Sequence, residues 1–125
     1  MKTMTTIAHT LVRLSGLTAI VLGVLFWTGN ARALIPVHML IGLVVVLSLW
    51  ALAFLAVRAG VNRGLVALAV VWGFVVPVLG LKQGQLLPGD YHWVIKVVHL
   101  LVGLGAMGQG DGLAARIKQA SVRRR

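Results

Sequence analysis

The sequence predicts an all-α protein, an integral membrane four-helix bundle built from two repeated helical hairpins. Three observations predict it. The 125 residues are 59% hydrophobic and only 11% charged, with two acidic side chains. A soluble domain carries roughly 25% charged residues, so this chain lacks the polar surface that water demands. Four apolar segments, 10–28, 34–57, 65–81 and 93–108, each reach or approach the ~20 residues that cross a ~30 Å hydrocarbon core. Finally, the stretch PVHMLIGL at 36–43 returns as VVHLLVGL at 97–104. A single membrane domain over 1–125 accommodates all of this.

The first segment follows MKT and precedes Ala31-Arg32-Ala33, which together resemble a cleavable signal peptide. Arg13 lies well inside the segment, however, and the repeat needs this stretch as a helix, so it is expected to stay. Gly16 and Gly23 are seven residues apart and share one helical face. The second segment carries His38, with Gly42 one turn further along. The third repeats the first at an offset of 57: IVLG at 20–23 becomes PVLG at 77–80, and Gly16 and Gly23 become Gly73 and Gly80. Pro77 removes a backbone donor in mid-segment and is expected to kink this helix. The fourth segment carries His99 and Gly103. Its hairpin has the longer loop, KQGQLLPGDYHW, with 19 residues from Gly80 to His99 against 15 from Gly23 to His38.

Charge sets the expected orientation. With the N-terminus inside, Lys2, Arg13, Arg58, Arg63, Arg116, Lys118 and Arg123–Arg125 face the cytoplasm, leaving Arg32, Lys82 and Lys96 outside. This positive-inside bias places both termini in the cytoplasm of a bacterial inner membrane. The basic tail, about 112–125, then meets anionic lipid headgroups, which explains the formal charge of +10 without nucleic acid. No cysteine is present, which removes disulfides, thiolate metal sites and thiol nucleophiles.

Two parallel repeats imply a pseudo-two-fold axis along the membrane normal. That axis carries His38 onto His99 and sets both in the outer half of the bilayer, at depths 4–5 Å apart by a rise of about 1.5 Å per residue. Ionisable groups at membrane depth are costly and mark function by default. Three uses compete. The imidazoles could ligate one iron from opposite faces of a haem. They could hydrogen-bond as interhelical glue. They could carry protons, although no Asp or Glu falls within the four segments. In the first case Gly16, Gly23, Gly42, Gly73, Gly80 and Gly103 clear space for a flat macrocycle, helped by Ser48 and Ala106. Lys96, one turn outward from His99, and Arg32 at the rim would meet the propionates. Trp27 and Trp93 read as interfacial belt residues, His9 as a headgroup-level residue whose repeat position is Val66, and His92 as a loop residue.

On His38 and His99, with those six glycines, the chain resembles the small bacterial membrane b-type cytochromes, including the cytochrome b561-like group. The resemblance covers roughly residues 10–110. It implies haem b with His38 and His99 as iron ligands, and two well-placed ligands suit one haem per chain. Many members of that class bind two haems through four ligands, and this chain has no second pair near its inner face. The resemblance implies electron transfer, with oxidoreductase activity linked to quinone or quinol and a periplasmic or membrane redox partner. A homodimer is compatible with the glycines. The alternative is a haem-bearing or cofactor-free small subunit or assembly protein of a larger membrane complex.

Overall fold

A computed structural model describes all residues, 1–125, as four α-helices. Helix α1 spans Lys2–Trp27, α2 Ile35–Arg58, α3 Arg63–Lys82 and α4 His92–Arg123, with short 3-10 turns at Arg32–Leu34 and Gln83–Gln85. All four are long and apolar enough to cross a membrane. At a rise of about 1.5 Å per residue, α3 is about 30 Å long, α1 about 39 Å and α4 about 48 Å. The last two therefore outrun a ~30 Å hydrocarbon core.

Helices α1 and α4 are longer than their apolar segments. The first turns of α1 are held by a stripe of buried residues at helical spacing, Thr5, Ala8, Val12 and Gly16. The basic tail is not a loose extension. Leu113, Ala114 and Ile117 are buried on one face of α4, and the Ala-, Arg-, Lys- and Gln-rich sequence there favours helix. Helices α2 and α3 meet through a tight turn. Gly60 takes φ +77°, Val61 N–H donates to the Ala56 carbonyl at 2.9 Å, and the Asn62 side chain caps α3 by accepting from Gly64 N–H at 2.8 Å. Such a left-handed close followed by an Asn cap satisfies the orphan groups of both helix ends. Pro77 sits within α3, which continues past it to Lys82.

The helices are not packed equally. Helices α2 and α4 touch each other and form the central pair; α1 and α3 each pack against both and do not touch one another. This is the arrangement that a two-fold axis between α2 and α4 would generate. Two tryptophans fasten it. Trp50 Nε1–H on α2 donates to the Val70 carbonyl of α3 at 3.1 Å. Trp72 Nε1–H on α3 donates to the Val102 carbonyl of α4 at 2.8 Å.

One end of the bundle holds both chain termini and the α2–α3 turn; the other holds the α1–α2 and α3–α4 connections. We call them the terminal end and the loop end. The buried hydrophobic core belongs to the terminal end. It contains Val12, Leu49, Leu52, Ala56, Ala69, Leu113 and Ile117 and fades near mid-bundle, with Val76 its limit on α3. At the loop end Ile95 is the buried hydrophobic, and it lies outside that cluster.

Candidate functional site

His38 lies at the start of α2, one turn after the Arg32–Leu34 turn, and His99 two turns into α4. The longer α3–α4 connection lets α4 begin further out, so the unequal offsets cancel and the rings come level. Their centroids are 6.3 Å apart with planes inclined at 63°. Both rings are partly buried, and Nδ1 of each is shielded from solvent with no hydrogen-bond partner. A buried polar nitrogen left unpaired costs on the order of 1–3 kcal/mol, and here two such nitrogens occupy repeat-related positions.

The neighbours of the two rings also follow the repeat. A Cβ on Gly23 of α1 would stand 3.6 Å from Cε1 of His38, and one on Gly80 of α3 would stand 3.1 Å from Cε1 of His99. Each odd-numbered helix thus offers its bare backbone to the histidine of the next helix. The two sides are not identical: Phe26 meets the His38 ring edge-on at 5.4 Å. Gly42 and Gly103, one turn below the histidines, have open space where a side chain would be.

Of the six glycines expected to clear a cofactor, Gly16 and Gly73 are used otherwise. A Cβ on Gly16 would meet the Met107 side chain at 2.6 Å, and one on Gly73 would collide with the Trp50 indole. They accommodate side chains at mid-bundle. Ser48 and Ala106 are buried in the core region. Lys96 turns to the loop end and sets Nζ 5.9 Å from the Trp27 ring centroid, within cation–π range. Trp27 is thereby a partner of α4 as well as an exposed aromatic. Arg32 is exposed at the same end. His92 bonds the Leu86 carbonyl at 3.1 Å and closes the loop before α4.

A second polar cluster lies toward the terminal end. His9 Nε2 is 2.6 Å from Asp111 Oδ1, and Arg13 Nε is 3.9 Å from the same oxygen. Sequence reasoning placed His9 alone at the headgroups and found no carboxylate in the four segments. Asp111 falls just past the fourth segment, but α4 runs on through it and carries it to α1. The signal was in the repeat. Asp111 occupies the place of Trp50, and Arg13 and His9 occupy those of Val70 and Val66. An ionic α4–α1 contact thus stands where the other half uses a tryptophan–carbonyl bond.

The histidine pair is spaced to share an ion. Two imidazole nitrogens bonded to one metal from opposite sides, at about 2.0–2.1 Å each, put the ring centres about 6 Å apart. No cluster of three or more His, Cys, Asp or Glu side chains exists in the chain, so the protein alone would leave such an ion under-coordinated. The remaining ligands would have to arrive with the ion, as they do in a macrocycle. No known family model, curated protein or solved structure matches this chain.

Proposed function

We propose that this chain is a membrane b-type cytochrome, holding one haem between His38 and His99. The observation that carries the proposal is the pair of partly buried imidazoles, 6.3 Å apart at repeat-related positions, each with an unpartnered nitrogen. Interhelical glue accounts for it less well at His99, whose Nδ1 has no partner, than at His38, whose ring lies beside the Ala19 backbone of α1. The open space at Gly42 and Gly103, the bare backbone at Gly23 and Gly80, and the missing hydrophobic core at the loop end all favour a bulky apolar guest there. When bound, the haem would supply reversible one-electron chemistry, with its potential set by axial ligands, burial and nearby charge.

The chain's own residues then do three things. His38 and His99 would both bind iron, an arrangement suited to electron transfer rather than oxygen binding. Gly23 and Gly80 let the rings approach α1 and α3 and fix their orientation. Lys96 and Arg32 put positive charge at the loop end, where acidic propionates or an acidic redox partner would be attracted. Positive-inside charge bias puts the loop end on the periplasmic side of a bacterial inner membrane. Electron exchange would therefore occur at that face, with quinol or quinone and a periplasmic or membrane partner. One haem near one face does not span a ~30 Å core.

The test is a set of three variants purified in detergent and titrated with haem. His38→Ala and His99→Ala should each abolish low-spin haem binding, while His9→Ala keeps it, because His9 pairs with Asp111 at the other end. Retention of low-spin haem by His99→Ala, with loss in His9→Ala, would refute the ligand assignment.

A further inference from the structure

The terminal end contains a cavity of about 170 Å³ between the start of α1, the α2–α3 turn and the last turns of α4. Its rim carries Lys2 from α1 and Lys118 and Arg124 from α4, and its wall includes Thr5, Ala59 and Ile117. The three wall residues are buried, whereas the rim residues Lys2, Lys118 and Arg124 are exposed. Arg124 is held across it, with Nη2 donating to the Ala59 carbonyl at 3.4 Å.

The electrostatics of this cavity are unbalanced. The chain has two carboxylate side chains, Asp90 in the α3–α4 connection and Asp111 beside His9 and Arg13. Neither lines the cavity. Three basic residues, Lys2 of α1, Lys118 of α4 and Arg124 just past its end, thus line one concavity that no carboxylate side chain lines. Below the rim, α1 continues with Met4, Ile7 and Leu11 exposed along one face, an apolar track leading away from the charge. A ligand suited to both is anionic at one end and hydrocarbon at the other. Basic pockets of this kind at the cytoplasmic side of membrane helices suit acidic headgroups.

We propose that the cavity binds the phosphate headgroup of one anionic phospholipid, held by Lys2, Lys118 and Arg124, with its acyl chains along the exposed face of α1. The proposal rests on the chain lying in a membrane, and it is independent of the histidines. The bound headgroup would tie α1, the α2–α3 turn and the end of α4 together where α4 extends beyond the bilayer.

The experiment is native mass spectrometry of the detergent-purified full chain, with phosphatidylglycerol, phosphatidylcholine or inorganic phosphate added. The expected result is one phosphatidylglycerol per chain, retained at least tenfold more strongly than phosphatidylcholine. Lys2→Gln/Lys118→Gln/Arg124→Gln should lower that retention about tenfold. Arg58→Gln/Arg63→Gln/Arg116→Gln removes the same charge from residues that do not line the cavity and should leave retention intact. Equal loss in both triple variants would reduce the effect to diffuse attraction by a basic surface and overturn the site. Tight binding of inorganic phosphate without retention of either lipid would overturn the lipid assignment. Far-UV circular dichroism checks each variant's fold. If the triple variant does not fold, the exposed single change Lys118→Gln should still cost about threefold, and no change there would sink the proposal. Low-spin haem bands should persist in all these variants, so failure of this site and failure of the haem site are read separately.

Discussion

At the terminal end of the bundle, Val12, Leu49, Leu52, Ala56, Ala69, Ala114 and Ile117 interlock among four helices, and Trp50 and Asp111 join neighbouring helices. At the loop end the same four helices continue with the same apolar composition, yet Ile95 is the one buried hydrophobic there. Two imidazoles lie 6.3 Å apart in that open region, with glycines where flanking side chains would be. Interiors pack to a density that leaves few voids, and the terminal end comes closer to that condition than the loop end does. The lesson is that in this fold the packed half supplies stability, while the proposed site lies in the open half.

The sharpest way to break this comparison is to measure hydrogen exchange with and without haem. Without it, amides near His38 and His99 should exchange orders of magnitude faster than those around Leu52 and Leu113, because local opening follows the density of buried contacts. Haem should close that gap. Equal protection at both ends of the haem-free protein would mean that the loop end is complete as it stands.

Next in size is the contrast between two leucines of α2. Leu52 is fully buried at the terminal end, whereas Leu40 at the loop end is 65% exposed. Leu52→Ala should cost about 2–5 kcal/mol in detergent unfolding. Leu40→Ala should change stability by less than about 0.5 kcal/mol and leave haem binding alone. A large loss from Leu40→Ala would reveal a second core.

The smallest effect sharpens the site itself. A Cβ on Gly80 would press on His99 at 3.1 Å, tighter than ordinary contact, while one on Gly23 would sit at 3.6 Å from His38. Gly80→Ala should therefore weaken haem binding several-fold and shift the low-spin bands, and Gly23→Ala should do so less. The reverse order in a haem titration would show that the two rings are seated differently.

How much of this was legible in sequence differs by feature. Hydropathy marked all four helices, since ~20 apolar residues leave few alternatives. Helices α1 and α4 run past their apolar segments because hydropathy registers solvent preference, not helix: 109–123 is polar but buries Leu113, Ala114 and Ile117. The octet repeat predicted that His38 and His99 would come together, and the ring centroids do lie 6.3 Å apart, with the planes inclined at 63°. Asp111 was missed because an acid at the end of an apolar run reads as a boundary, and pairing with His9 across 102 residues has no local signature. The bias of the core toward one end was also invisible. Lipid-facing and buried positions are both apolar here, so no polar face marks the outside as it does in water. For the same reason Gly16 and Gly73 looked like Gly23 and Gly80, although Met107 and Trp50 occupy the space beside them.

The central claim is that His38 and His99 together hold one haem. Its most direct test is the reduced-minus-oxidised visible spectrum of the detergent-purified protein, taken with the haem-to-protein ratio. The account predicts sharp low-spin b-type bands at about one haem per chain, since one pair of axial imidazoles serves one iron. A protein that stays colourless after haem is supplied would contradict it, and the paired histidines would then be no more than a packing feature of the bundle.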